Sequence, residues 1–270
     1  MFKDPLMTKI YNNSINKDDY CGNTYLYEFT LCLSILCLFL ANVFAQKIIP
    51  IYGDIKIAMS GIFFGLSFLP LSVLNEVYGY KKSARAIISI LICQFLFISL
   101  LCVSSRIDNS SILLGGQLSE SKALFVAFGD YYKVLMGSCL AVAISYFFFS
   151  ILNSWLKVRF CSYPFPVRFI LSTGISKFLL VAIAYPINLY GMYSTFWEIF
   201  LICLSTWVVK IIIALLVLFL ASIIIPIVKK VEKRSHYDIN VNFNPLKVYR
   251  DDHSGHNLFN GEIREKENVI

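Results

Sequence analysis

The chain has 270 residues, of which 57% are hydrophobic and only 15% are charged. Its mean hydropathy of +0.68 exceeds what a solvated surface permits, which excludes a soluble globular protein and indicates an integral membrane protein. The net charge of +7 does not indicate a nucleic-acid partner, because the basic residues lie in short loops between apolar segments.

The N-terminal segment, residues 1–25, is polar and lacks an apolar core, so we expect no cleavable signal peptide. Six apolar stretches follow, each long enough to cross a bilayer, and they predict an all-α, polytopic transporter domain over residues 26–228. Their approximate bounds are 26–48, 57–76, 84–104, 132–152, 169–190 and 197–227. The remaining residues, 229–270, form a cytoplasmic tail that begins with a basic stop-transfer cluster at 229–234. Residues 235–270 have no periodic apolar pattern, so we expect the tail to be mostly disordered or docked on a surface.

Lysine and arginine residues predict the side of the membrane that each loop faces. One side collects most of them: Lys3, Lys9, Lys17, Lys81, Lys82, Arg85, Lys157, Arg159, Arg168, Lys229, Lys230, Lys233 and Arg234. By the positive-inside rule that side is cytoplasmic. We therefore expect six transmembrane helices with both termini cytoplasmic and one sizeable external segment at residues 106–131.

The second apolar stretch ends on a carboxylate, Glu76, in the segment Asn75–Arg85. An ionised glutamate costs at least ~2.5 kcal/mol at the centre of a membrane helix and less near the interface. It persists where another group uses or neutralises it, so a functional site is the first interpretation. The alternative is a simple ion pair with Lys81 or Lys82 at the headgroups.

Two lysines, Lys177 and Lys210, fall near the middle of predicted spans. A lysine at that depth faces a cavity or a partner, can lose its proton through desolvation, and marks a pathway more often than a packing accident. Because an unpaired charge in a low dielectric is costly, we expect Glu76 to offset the charge of one or both lysines.

Small residues predict where helices approach closely. Gly61 and Gly65 lie four residues apart, and Ser138, Ala141 and Ser145 form a stripe along the fourth span. Packing within the chain is the first interpretation and oligomerisation the second.

The chain carries no recognisable catalytic pattern. All three histidines lie in the polar tail, and neither a Gly-rich phosphate loop nor a Ser/His/Asp or HExxH pattern occurs. Six cysteines inside apolar stretches lack metal-ligand spacing and are predicted to be small core residues: Cys32, Cys37, Cys93, Cys102, Cys139 and Cys203. We expect no enzyme, no metal and no cofactor.

Several separated motifs occur in order along the six stretches. They are Ala41-Asn42 with Lys47, Glu76-Val77-Tyr78-Gly79 with Arg85, Arg168 before Leu171-Ser172-Thr173, Lys210, Tyr237-Asp238, and Asn242-Phe243-Asn244-Pro245. In this arrangement the chain resembles, from about residue 30 to residue 245, the queuosine precursor transporters. These are six-helix proteins of the bacterial inner membrane, formerly described as putative vitamin uptake transporters.

The resemblance implies uptake of a 7-deazapurine base for tRNA modification salvage. Substrates of that family include 7-cyano-7-deazaguanine, its aminomethyl relative and queuine. A deazaguanine presents a ring N–H beside an amine, so Glu76 is a candidate bidentate acceptor and Asn42 a candidate reader of a carbonyl edge. Tyr78 or Tyr146 is a candidate stacking platform, and the two midplane lysines complete the predicted substrate site.

The chain departs from the family pattern at several positions. Ser72 stands where an Asp is usual, Tyr146 and Lys177 stand where glutamines are common, and Phe149 and Leu180 replace acids. The substrate is therefore open: another flat heterocycle, such as a vitamin or a nucleobase, and a non-transporting membrane scaffold are the alternatives. Proton coupling, facilitated flux and an energising partner are equally compatible with the absence of an ATP-binding motif.

Overall fold

The computed structural model describes residues 25–44, 47–52, 55–106, 125, 128, 131–159, 165–189, 196–232, 236–238, 243 and 256–257. The elements in this part of the chain are α1 (Tyr25–Val43), β1 (Ile48–Tyr52), β2 (Ile55–Ala58), α2 (Ser60–Arg106), α3 (Tyr131–Arg159), α4 (Phe165–Leu189), α5 (Phe196–Glu232), β3 (His236–Tyr237) and β4 (His256–Asn257). All 5 helices are long and apolar enough to cross a membrane. This confirms the predicted all-helical architecture with several helices able to cross a membrane.

Helix α2 is interrupted at Gly79. Its 47 residues would extend about 70 Å as one helix, more than twice the thickness of the hydrocarbon core. Gly79 has φ 81° and ψ 176°, a conformation open essentially only to glycine. Ser150 Oγ lies 3.0 Å from Asn75 Oδ1 and 3.3 Å from Ser83 Oγ, although these two residues would be about 12 Å apart along a straight helix. The chain therefore folds back at Gly79, between the second and third predicted spans.

A β-hairpin precedes α2, which the sequence pattern did not predict. Helix α1 ends at Val43, so the predicted bound of residue 48 is wrong, and the start of the second predicted span falls in β2. Strands β1 and β2 pair antiparallel with Ile49 opposite Ile57. The cause is the isoleucine-rich composition of both segments, since β-branched residues favour strands while their apolarity imitates the continuation of a span.

The helices pack around an apolar core that contains Leu38, Phe64, Phe68, Leu71, Ile87, Tyr146, Phe149, Phe169, Leu180 and Val217. The predicted glycine contact is confirmed, because a Cβ on Gly65 would lie 2.6 Å from Ile213 Cγ2 of α5. Gly61 faces Thr206 and Lys210 of the same helix. Close packing of α2 against α5 therefore depends on these small residues.

The outer surface of the bundle carries many large apolar side chains, among them Phe95, Leu100 and Phe219. This surface suits contact with lipid tails. The six cysteines of the apolar stretches lie at least partly on this outer surface. Cys32 is exposed and the other five are half-buried. The prediction that they are small core residues is wrong for Cys32 and only partly right for the rest, because hydropathy alone does not distinguish a lipid-facing from a core-facing position.

Part of the polar tail is docked on the bundle. The Tyr80 N–H donates to Asp238 Oδ1 at 2.8 Å, and the Tyr80 hydroxyl donates to the Phe243 carbonyl at 2.8 Å. The rings of Tyr80 and Phe243 meet edge to face at 5.1 Å. The surface-docked interpretation therefore holds at these two tail positions, while Asn244 and Pro245 lie outside the described residues, as do the first 24 residues and most of 106–131.

Candidate functional site

Glu76 lies where α2, α3, α4 and α5 meet. Its Oε1 lies 3.1 Å from Lys229 Nζ, 3.4 Å from Lys157 Nζ and 3.5 Å from Arg168 Nη2. Lys157 Nζ also donates to the main-chain carbonyl of Glu76 at 3.0 Å. We call Glu76, Lys157, Arg168 and Lys229 the Glu76 cluster. The Glu76 side chain is only 3% exposed, so its carboxylate is shielded from solvent.

The expected pairing of Glu76 with a midplane lysine is wrong. Arg168 contacts Glu76, and Lys177 lies nine residues further along α4, about 14 Å along the helix axis. The alternative of a simple pair with Lys81 or Lys82 is wrong, because the partners of Glu76 are basic side chains from three other helices, of which Lys157 and Arg168 are buried and Lys229 is partly buried. From the sequence, Lys157 and Lys229 were interpreted only as topology signals, and Arg168 as a topology signal and a motif residue.

A serine network beside Glu76 was also missed. Ser150 and Ser154 each donate to Asn75 Oδ1, at 3.0 and 3.1 Å. Residues 150, 154 and 157 follow the i, i+4, i+7 spacing of one helical face. That spacing is the signal that could have assigned Lys157 to the face of α3 that contacts Glu76.

Lys177 and Lys210, here called the lysine pair, lie together inside the bundle and are both 0% exposed. Lys177 Nζ donates to the Lys210 carbonyl at 3.0 Å and lies 5.3 Å from the Phe68 ring centroid. Lys210 Nζ lies 5.3 Å from the Phe64 centroid and 5.0 Å from the Tyr185 centroid. Among the described residues, this ammonium has no hydrogen-bond partner. The favourable contacts of Lys210 Nζ with the described residues are cation–π contacts with these two rings.

The surroundings of the lysine pair are aromatic and hydroxylic. The Tyr146 hydroxyl donates to Ser67 Oγ at 2.5 Å, and the Tyr146 ring meets Phe68 edge to face at 5.3 Å. Thr206 Oγ1 and Ser176 Oγ are buried without a hydrogen-bond partner in the described part of the chain. The structure thus joins three predicted site residues, Tyr146 and both lysines, through the shared neighbour Phe68 and the contact between the lysines.

Asn42 and Tyr78 lie elsewhere. Ser138 Oγ donates to Asn42 Oδ1 at 2.9 Å and receives a hydrogen bond from Gln94 Nε2 at 2.7 Å. Asn42 therefore belongs to a network that joins α1, α2 and α3. Tyr78 is buried against Tyr27, with the ring centroids 5.2 Å apart. It belongs to the interface of α1 with α2, and its ring has no recorded contact with Tyr146.

The predicted motif residues have local structural contacts. Lys47 is exposed and its carbonyl accepts the Met59 N–H at 2.8 Å, which closes the hairpin. Arg85 is half-buried and its carbonyl accepts the Ser89 hydroxyl, and Ser172 Oγ donates to the Arg168 carbonyl at 2.8 Å.

The departures from the family pattern are buried. Phe149 and Leu180 belong to the apolar core, and Ser72 Oγ donates to the Leu69 carbonyl of its own helix. An acid at the two core positions would need a partner there. The substitutions are thus consistent with apolar packing at positions 149 and 180.

Comparison with known proteins places these features in a family. A family model described as "Putative vitamin uptake transporter" matches residues 58–224, more than half of the 270 residues. No curated protein and no solved structure matches the chain significantly. The matched region includes Glu76, Lys157, Arg168 and the lysine pair, and the family is the one now called queuosine precursor transporters. The chain therefore belongs to this family of membrane transporters, as its sequence motifs predicted.

Proposed function

We propose that the protein imports a queuosine precursor, a 7-deazapurine base, across a bacterial inner membrane. Membership of an uptake-transporter family supports transport. One structural observation carries the assignment of a central site: the buried Lys210 ammonium, which has no hydrogen-bond partner among the described residues. An ionisable group inside a membrane bundle is a default marker of a substrate or ion pathway.

The proposal includes six spans with both termini in the cytoplasm. The fold-back at Gly79 divides α2 into two segments, each of which is long enough to cross the hydrocarbon core. Gly61 faces Lys210 and Gly65 faces Ile213, so the first segment runs parallel to α5. The first segment of α2 is the second predicted span, and α5 is the sixth. Their common direction fits an architecture in which both spans run toward the cytoplasm.

The two polar groups have different roles in this proposal. The lysine pair binds the base inside the bundle, where aromatic rings provide stacking surfaces. The Glu76 cluster joins four helices at the proposed cytoplasmic end, and separation of its ion pairs would open that end. Three basic side chains already contact Glu76 Oε1. In this proposal Glu76 therefore closes the cytoplasmic end and does not bind the 7-deazapurine in a bidentate pair.

The test is the queuosine content of tRNA in a bacterial host that lacks its own precursor synthesis and importer. Cells with and without this chain receive micromolar 7-cyano-7-deazaguanine, its aminomethyl relative or queuine. Restoration by the wild-type chain and not by Lys210→Ala is expected. Lys230→Ala is the matched control, because Lys230 is an exposed lysine on the same helix.

A known importer expressed in the same host verifies the downstream pathway. Absence of queuosine with every base, despite normal membrane abundance of this chain, would contradict the proposal. The second candidate, transport of a different flat heterocycle, would then be favoured by Tyr146 and Lys177, the two departures that lie at the lysine pair.

A further inference from the structure

We infer that the lysine pair selects its ligand by charge. It accepts a flat heterocycle whose substituent is neutral or anionic and rich in lone pairs, and it rejects the same ring with a cationic amine. This inference deepens the proposed function and rests on it for the identity of the ring.

The two ammonium groups of the lysine pair can donate hydrogen bonds but cannot accept them. A lysine ammonium offers three donors and no acceptor. Lys177 uses one donor on the Lys210 carbonyl, and Lys210 uses none within the described part of the chain. A ligand that completes this site must supply acceptors, such as a nitrile nitrogen, a carbonyl oxygen or a carboxylate.

The charge of the pair is also uncompensated. Within the described residues the buried ion pairs involve Glu76 and neither lysine of the pair, and the basic group in contact with Lys210 is Lys177, whose Nζ lies 3.0 Å from the Lys210 carbonyl. Glu76, a buried acid of the bundle, is engaged by three basic side chains at the end of the helices. A cationic ligand would therefore add a like charge in a low dielectric with no counter-ion, whereas an anion would relieve the repulsion.

The position of the rings accounts for the preference for flat ligands. Phe64 and Tyr185 flank Lys210, and Phe68 lies beside Lys177, each with its centroid 5.0–5.3 Å from the ammonium. A planar ring that stacks on one of these side chains brings its substituent close to an ammonium. Thr206 Oγ1, one turn before Lys210 on α5, lacks a partner in the described region and can donate a further hydrogen bond.

The test is equilibrium binding to the purified full-length protein in detergent, with three ligands that share one ring system. These are 7-cyano-7-deazaguanine, which is neutral, the 7-carboxy analogue, which is anionic, and the 7-aminomethyl analogue, which is cationic at neutral pH. We expect the first two to bind at least about tenfold more tightly than the third.

Two variants locate the selectivity. Lys177→Gln keeps a polar side chain but removes one charge, and it should reduce the cyano-to-aminomethyl affinity ratio by about tenfold. Lys230→Gln, an exposed lysine of α5, should leave the ratio unchanged. Gel filtration and thermal unfolding of both variants show whether each is folded.

The outcomes separate this inference from the proposed function. Equal or tighter binding of the aminomethyl base would overturn charge selection while import of a precursor stands. If no deazaguanine binds, the proposed ring is wrong, and nicotinate, nicotinamide and 1-methylnicotinamide test the charge rule on a different ring. Binding of the first two without the third supports the rule, and failure of all three, or binding of the cation, overturns it.

Discussion

Two buried charges of this bundle, Glu76 and Lys210, affect the stability of the folded protein in opposite ways. Glu76 is buried but has three cationic partners, whereas Lys210 is buried and has aromatic rings as its visible partners. Removing one partner of a buried ion pair leaves an uncompensated charge, while replacing an isolated buried charge by an apolar group removes a desolvation cost. Substitution at the two residues should therefore affect stability in opposite directions.

We predict that Glu76→Gln destabilises the protein by about 3–5 kcal/mol, because three bases lose their shared carboxylate. Thermal unfolding of the purified protein measures this, and the exposed Glu198 of α5 supplies the control, Glu198→Gln. A Glu76→Gln protein as stable as wild type would refute the structural role of the cluster. Unchanged uptake and affinity in that variant would show that the carboxylate does not read the base.

Lys210→Met is predicted to keep or raise the unfolding temperature and to lower uptake. Methionine has a similar unbranched shape and carries no charge to desolvate. Uptake is expected to fall at least about tenfold per inserted molecule, since the interaction with the ligand is lost. The exposed control Lys230→Met should transport normally, and a Lys210→Met protein that transports at the wild-type rate would exclude Lys210 as a ligand.

At the scale of elements, the reversal of α2 depends on one backbone conformation. Gly79 adopts φ 81°, and the docked Asp238 and Phe243 both bind Tyr80, the next residue. The glycine thus determines where two helical segments separate, and the tail contacts stabilise the turn between them.

Gly79→Ala should lower folded yield and stability, because an L side chain at this φ and ψ costs about 1–3 kcal/mol. Gly174→Ala is the matched control: its Cβ would meet nothing within 4 Å, and alanine is the better helix former. Membrane abundance and thermal unfolding report both effects. Equal stability of the two variants would contradict a requirement for glycine at the reversal.

At the scale of the whole molecule, six spans require that the hairpin and the Gly79 turn face opposite sides of the membrane. We predict that Lys47→Cys is labelled by an impermeant maleimide in intact cells and that Lys82→Cys is labelled only after permeabilisation. Both side chains are exposed, and the 8 native cysteines would be replaced first. Labelling of both positions from the same side would contradict the proposed topology.

The sequence alone determined the membrane class, the apolar helices and the burial of ionisable groups at Glu76 and the two lysines. These properties follow from local composition, because about 20 apolar residues suffice to define a span and any ionisable group within one is exceptional. The family motifs were likewise readable from order and spacing along the chain. The hairpin was not, since its isoleucines are equally apolar in a strand and in a helix.

Only the tertiary structure decided which charges meet. Lys157, Arg168 and Lys229 looked like loop signals, yet all three contact Glu76, while Lys177 and Lys210 contact each other. Sequence spacing gives a residue's height and face on its own helix, but the neighbour across the interface depends on how the helices pack. Long basic side chains near helix ends can reach inward to a buried carboxylate as readily as outward to headgroups, and the packing of four helices around Glu76 selected the inward arrangement.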